Sequence, residues 1–136
     1  MREFDRELFI DIETYSSVDI KECGAYKYMA SPDFEILICG YAFGDDDVVS
    51  LDLASGDKWP EEFLEALKDP KCLKIAHNAV FERTAFNRIG LHTETDEWYC
   101  TLVKAAYCGL PLSLDAVSKQ LNLVDKKLDT GKALIK

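Results

Sequence analysis

The chain lacks an uninterrupted apolar run near the roughly 18 residues that a membrane span needs. Its opening heptad, Met1-Arg2-Glu3-Phe4-Asp5-Arg6-Glu7, is charged along its length and has no apolar core of the kind that marks a secretory signal. A cytoplasmic protein with no membrane partner is therefore expected. No Cys-x-x-Cys pair exists among the five scattered cysteines (Cys23, Cys39, Cys72, Cys100 and Cys108), which excludes zinc-ribbon and thioredoxin-type motifs. Buried free thiols in a reducing compartment are the simplest reading. Basic charge is also scarce: 25 acidic residues against 16 basic ones leave a net charge of −9. Nucleic-acid binders that work by backbone neutralisation present a basic face, so metal ions or a basic neighbour would have to supply positive potential here. Internal repeats, low-complexity tracts and linkers are likewise missing.

What is present fits one domain over residues 1–136. Hydrophobic residues make up 48% and charged residues 30%, the balance of a soluble globular chain. Leu8 to Thr14 reads as a buried strand carrying two carboxylates. Side chains alternate along a strand, so Leu8, Ile10 and Ile12 share one face while Phe9, Asp11 and Glu13 share the other. Two negative charges beside a phenylalanine call for compensation, and hard cations such as Mg²⁺ and Mn²⁺ favour carboxylate oxygens. A strand end running out into water is the alternative reading.

The rest of the chain follows in order. Tyr15 to Asp19 is a polar exit, and Lys21 to Tyr28 an aromatic-basic segment interrupted by Gly24. Ser31-Pro32-Asp33 makes a turn. Phe34 to Phe43 is a second strand, Gly44 to Asp47 a hairpin-like turn, and Val48 to Leu51 a third strand. The three aspartates of that turn lack EF-hand spacing, so a solvated turn is expected rather than a calcium site. Trp59 to Leu67 forms a helix with Pro60 in its first turn, ended by Asp69-Pro70. Cys72 to Ala76 is a short strand, after which Asn78 caps a helix that carries Phe81, Ala85 and Phe86 and stops at Gly90. Trp98 to Thr101 is a fifth strand, leading into a helix through Tyr107. Gly109-Leu110-Pro111 breaks that helix, and Ser113 caps another bearing Leu114, Val117 and Leu121. The order βββαβαβαα predicts an α/β fold: a mixed sheet flanked by helices, with the Asp-bearing strand at its centre.

His77-Asn78-Ala79-Val80-Phe81-Glu82-Arg83 opens the helix after the fourth strand. If Phe81 packs inward, Glu82 can reach the rim of the sheet near Asp11 and Glu13. A capped helix with Glu82 and Arg83 in solvent is the alternative. Together, Asp11-Ile12-Glu13-Thr14 and His77 to Glu82 resemble the first two motifs of the DEDD 3′–5′ exonuclease superfamily. More narrowly, the set looks like the proofreading domain of bacteriophage family A DNA polymerases. It includes Asp11 to Ser17, Gly24 to Tyr28, Pro32 to Ile36, Cys100-Thr101 and Gly109 to Leu114.

The resemblance implies a ribonuclease H-like fold, with a three-strand antiparallel meander and short parallel strands. It also implies two Mg²⁺ or Mn²⁺ ions held by carboxylates, with Asp11, Glu13 and Glu82 as catalytic metal ligands. Thr14, Asn78 and Phe81 would contact the substrate, a single-stranded or frayed 3′ end of DNA, and His77 would serve local hydrogen bonding. The reaction would be hydrolysis of the terminal phosphodiester. A polymerase domain would follow in the same parent chain, located in the bacterial host cytoplasm if phage-encoded. Two departures stand out. The second motif usually carries aspartate where this chain has Glu82, and the third motif, Tyr-x-x-x-Asp on a helix, is missing. Tyr15 to Asp19 lies too close to the first motif, and His92 to Asp96 lies in a threonine-rich connection. Asp115, Asp125 and Asp129 stand in the wrong context. The resemblance thus reads as an N-terminal fragment, inactive or weak by itself. A non-catalytic scaffold or polymerase-contact module, and a stand-alone oligonucleotide exonuclease, are the alternatives.

Overall fold

A computed structural model of the chain describes residues 2–124. The described residues fall into two compact units, divided after residue 100. The C-terminal stretch with Asp125 and Asp129 lies outside the described residues.

The first unit is built on a five-stranded sheet of order β3-β2-β1-β4-β5. Its strands are β1 (Arg6–Tyr15), β2 (Glu35–Phe43), β3 (Val49–Asp52), β4 (Cys72–Ala76) and β5 (Trp98–Cys100). Strands β1, β2 and β3 pair antiparallel, whereas β4 joins β1, and β5 joins β4, in parallel. The expected mixed sheet with β1 at its centre is therefore what the chain forms. Along β1 the predicted alternation holds: Leu8, Ile10 and Ile12 are buried, while Phe9, Asp11 and Glu13 are exposed.

Helix α2 (Glu61–Lys68) and helix α3 (Ala79–Arg88) contribute to the core formed by the inner face of the sheet. Phe63 stacks on Trp59 at 5.1 Å between ring centroids and meets Phe86 at 5.9 Å, and Phe86 stacks on Trp98 at 6.4 Å. Such pairs add about 0.5–1.5 kcal/mol each beyond the apolar area they bury. Leu8, Leu67, Ala66 and Ala85 fill the space between them, all fully buried.

Four local expectations need correction. Pro60 takes the N-cap position of α2 rather than its first turn, which suits a residue whose fixed φ and missing N–H do no harm just outside a helix. Asn78 does precede α3, but in the left-handed conformation (φ 72°, ψ 56°) and with no capping bond from its side chain. Asparagine is among the few residues that tolerate that backbone, so here it makes a tight corner between β4 and α3 instead of a cap. The aromatic-basic segment after β1 is helical, α1 (Ile20–Ala30), an element missing from the predicted order. Asp19 caps it by accepting from Lys21 N at 2.8 Å. Gly24, at φ 80° and ψ 167°, kinks it into two short pieces, a backbone that no residue with a Cβ adopts without strain. The thiols are all free, as expected, but only Cys39 and Cys72 are buried; Cys23 and Cys100 are half-buried and Cys108 is exposed.

In the second unit, helix α4 (Thr101–Tyr107) ends at Gly109, and Ser113 caps helix α5 (Leu114–Gln120) by accepting from Ala116 N at 3.1 Å. Asp115 pairs with Lys119 one turn on, at 2.9 Å. Among the described residues, no helix is long and apolar enough to cross a membrane.

Candidate active site

Strand β4 stops pairing with β1 at Phe9, where Ile75 lies opposite. The C-terminal half of β1, with Asp11 and Glu13, is therefore paired on one side only, to β2. In open α/β sheets such carboxyl ends of strands are where ligands bind, because the chain leaves the sheet there and frees a crevice. A register shift between Glu13 and Thr14 bends the ladder at this point, leaving Leu37 of β2 without a counterpart. Bulges of this kind re-aim the side chains beside them.

Asp11 and Glu13 are exposed, and neither makes a hydrogen bond or ion pair among the described residues. Glu82 behaves differently. Its position in the first turn of α3, three residues before Ala85 and four before Phe86, sets it on the buried side of the helix. It is only 4% exposed, and its Oε2 has no partner. The solvent-facing alternative for Glu82 is thereby excluded, and Phe81 is the partly buried member of the pair. Desolvation pushes the Glu82 carboxyl up to about 8 from its ordinary 4.5, and the negative charge of Asp11 adds to the rise. Burial, with the charges of Asp11 and Glu82 adding to it, pushes the Cys39 thiol up to about 12. Asp11, Glu82 and Cys39 therefore share one electrostatic neighbourhood, although they come from β1, α3 and β2.

A divalent cation fits this donor set. A buried carboxylate oxygen without a partner is costly, and a neighbouring carboxylate makes it more so. A hard cation would relieve both terms through the oxygen ligands it favours. As they stand, no three His, Cys, Asp or Glu side chains among the described residues converge closely enough to enclose an ion. The exposed side chains of Asp11 and Glu13 would have to turn toward Glu82.

The predicted substrate contacts also separate. The Thr14 Oγ1 lies 3.0 Å from the Tyr28 hydroxyl, and the Tyr28 ring lies 6.5 Å from that of Phe81. Tyr28 thus ties two of the three residues together. Asn78 is exposed at the corner before α3. In the sequence Tyr28 is marked only as part of the aromatic-basic segment; its partners Thr14, Phe34 and Phe81 come from elsewhere in the chain. The other unforeseen feature is Lys74. This lysine is fully buried on β4, donating to Asp69 O at 2.8 Å and to Glu97 Oε2 at 2.9 Å. A lysine inside the apolar run Cys72 to Ala76 is its only trace in the sequence. Of the substitutes for a third motif, Asp19 caps α1, and Asp96 sits in a single 3-10 turn (Thr95–Glu97), paired with Arg2 at 3.1 Å.

The DNA polymerase of Bacillus phage SP02 is 49% identical over 132 residues, which cover 96% of this chain. The chain spans only 20% of that polymerase's length. No protein-family model matches. Among solved structures, a nuclease in its apo form superposes with a TM-score of 0.67 at 19% identity, covering 96% of this chain and 57% of the other. NrnC of Brucella melitensis, solved with bound Mg²⁺, gives 0.64 at 17% identity over 90% of this chain and 57% of the other. The same protein bound to pGG gives 0.63 at 16% identity, covering 90% of this chain and 56% of the other. At these identities the structural likeness establishes the fold, the ribonuclease H-like α/β arrangement of nucleases.

Proposed function

We propose that this chain is a 3′–5′ exonuclease domain of the proofreading kind, acting on a single-stranded or frayed 3′ end of DNA within a longer DNA polymerase. The observation that carries the reading is Glu82: a buried carboxylate with an unpartnered oxygen, on a helix, under the influence of Asp11 on the central strand. A structural role gives no reason to keep two such charges together, whereas binding divalent cations does. The polymerase likeness and the Mg²⁺-bound structural neighbour support the same reading.

Asp11, Glu13 and Glu82 would hold Mg²⁺ or Mn²⁺. Bound there, the ions supply an activated water and neutralise charge developing on the phosphodiester. The chain's own contribution is placement. Asp11 and Glu13 project from the half of β1 that β4 leaves free. Thr14, at the bulge, offers a hydroxyl to the terminal sugar, and Tyr28 holds that hydroxyl in place. Phe81 presents a partly buried ring for the terminal base, and Asn78 a side-chain amide at the corner before α3.

A second reading, a non-catalytic scaffold, is favoured by the exposure of Asp11 and Glu13 and by the absence of an enclosed three-ligand cluster among the described residues. A 5′-labelled single strand incubated with Mn²⁺ and the whole polymerase that carries this segment separates the two. Stepwise shortening from the 3′ end that Asp11→Ala abolishes supports the exonuclease. Mn²⁺ binding without shortening supports the scaffold, and no Mn²⁺ binding overturns the metal site itself.

A further inference from the structure

We infer that the groove between α1 and α3 is a single-strand binding subsite, which takes a nucleotide upstream of the 3′-terminal one. This rests on the exonuclease reading and extends it to residues outside the carboxylate site. The groove is lined by Tyr26, Met29 and Ala30 from α1, and by Arg83, Asn87 and Arg88 from α3. One of its walls is fixed, because Arg88 Nε donates to Met29 O at 2.8 Å and so clamps the end of α1 to the end of α3.

Arg83 is the residue that calls for a ligand. In a chain of net charge −9, four basic residues of the same unit, Arg2, Arg6, Lys71 and Lys74, stand against carboxylates. Arg83 is half-buried in the groove and has no hydrogen bond or ion pair among the described residues. A guanidinium desolvated in this way without a carboxylate is suited to bidentate capture of a phosphate from outside. Tyr26 adds the second element. It is 72% exposed, on the helix facing Arg83, and makes no ring contact with another aromatic side chain among the described residues. An exposed aromatic beside a cation is the pairing by which single strands are held: the base stacks and the phosphate is neutralised.

Position connects the groove to the site. Thr84, which also lines the groove, stands three residues after Phe81 and so on the same side of α3, and Phe81 in turn meets the Tyr28 that holds Thr14. A strand whose last nucleotide lies against Thr14 and Phe81 therefore continues along α1 and α3 into the groove. The expected ligand is single-stranded polynucleotide, with stacking and phosphate contact but no base-edge readout. This also explains how so acidic a protein can hold a polyanion: the positive charge is local, placed where the strand leaves the carboxylates.

The test is fluorescence anisotropy of the chain with a 5′-labelled thymidine octamer and a labelled thymidine dinucleotide, in Ca²⁺ in place of Mg²⁺. The variants are Arg83→Gln and Tyr26→Ala, each checked for an unchanged melting temperature. Each should weaken octamer binding about tenfold and leave dinucleotide binding as it was. Arg83→Gln should also lower the slope of log affinity against log salt by about 0.7–1. If both variants bind the octamer as tightly as the parent chain, the subsite is overturned while the exonuclease reading stands. If the parent chain binds neither oligonucleotide, both fall.

Discussion

Lys74 and Glu97 form an ion pair at 2.9 Å inside the first unit, with the lysine side chain entirely shielded from water and the glutamate 7% exposed. Lys74 belongs to β4 and Glu97 to the turn that leads into β5, so the pair joins the two parallel strands next to the candidate site. The lysine also reaches Asp69 O, at the end of α2, so three elements converge on one ammonium group. Arg2 lies 3.6 Å from the other oxygen of Glu97.

Removing one partner of a buried pair leaves the other charge uncompensated, which costs about 3–5 kcal/mol. Lys74→Ala should therefore lower the urea midpoint sharply. The double variant Lys74→Met, Glu97→Leu should recover much of the loss, because it removes both charges and keeps the volume filled. Urea denaturation of the two variants checks this; a double variant no better than the single one would show that the pair contributes more than its own desolvation cost.

Glu82 makes stability depend on pH in a defined direction. Its folded value, about 8, lies above the ordinary 4.5 of the unfolded chain. Between those limits the unfolded state releases a proton that the folded state keeps, so stability falls as pH rises and levels off above about 8. The whole fall is on the order of a few kcal/mol. Glu82→Gln should flatten this part of the profile and be the more stable form at pH 8. Thermal melts from pH 4 to pH 9 in EDTA decide it, and a wild-type profile parallel to that of Glu82→Gln would sink the argument.

Divalent cation should act against that fall. At pH 8, Mn²⁺ at a hundred times its dissociation constant should raise the stability of the parent chain by about 2.7 kcal/mol, visible as a higher melting temperature. Asp11→Ala should abolish the rise. Glu13→Ala should reduce it. An unchanged Mn²⁺ titration in Asp11→Ala would remove Asp11 from the ligand set.

Tyr28→Phe deletes one hydroxyl and keeps the ring against Phe34 and Phe81. The lost bond to Thr14 should cost about 1 kcal/mol of stability. If Thr14 positions the terminal nucleotide, strand shortening should slow with the variant still folded, and Mn²⁺ affinity should not move. A parallel loss of Mn²⁺ affinity would mean that Tyr28 supports the carboxylates instead.

The sequence carried the sheet more fully than the helices around it. Leu8, Ile10 and Ile12 alternate with Phe9, Asp11 and Glu13 because one face of β1 meets the core, and a period of two survives in the composition. Cys72 to Ala76 is bounded by Pro70 on one side and the His77-Asn78 corner on the other, and β4 has the expected limits. Helix α1 was hidden because Gly24 divides it and Ile20 and Tyr26 stay exposed, so no apolar stripe runs along it. At the site, the spacing of Asp11 and Glu13 was enough to place them on one face. The burial of Glu82 was not legible, because it depends on the left-handed corner at Asn78 that sets the rotation of α3 about its axis. Tyr28 and Lys74 act through partners distant in sequence, Thr14 and Phe81 for one and Glu97 for the other, which no local pattern encodes.

The five free thiols amount to a built-in clock for the opening of the molecule. Cys108 is exposed, so an alkylating reagent should mark it first, with Cys23 and Cys100 following as their surroundings loosen. Cys39 and Cys72 are sealed, and burial raises both thiols, Cys39 to about 12, so almost none of either is thiolate at neutral pH. Their labelling waits for the sheet to come apart. Because Cys39 lies in the same electrostatic neighbourhood as Asp11 and Glu82, its rate of modification with and without Mn²⁺ reads out the tightness of the candidate site from beneath, with no substrate and no turnover.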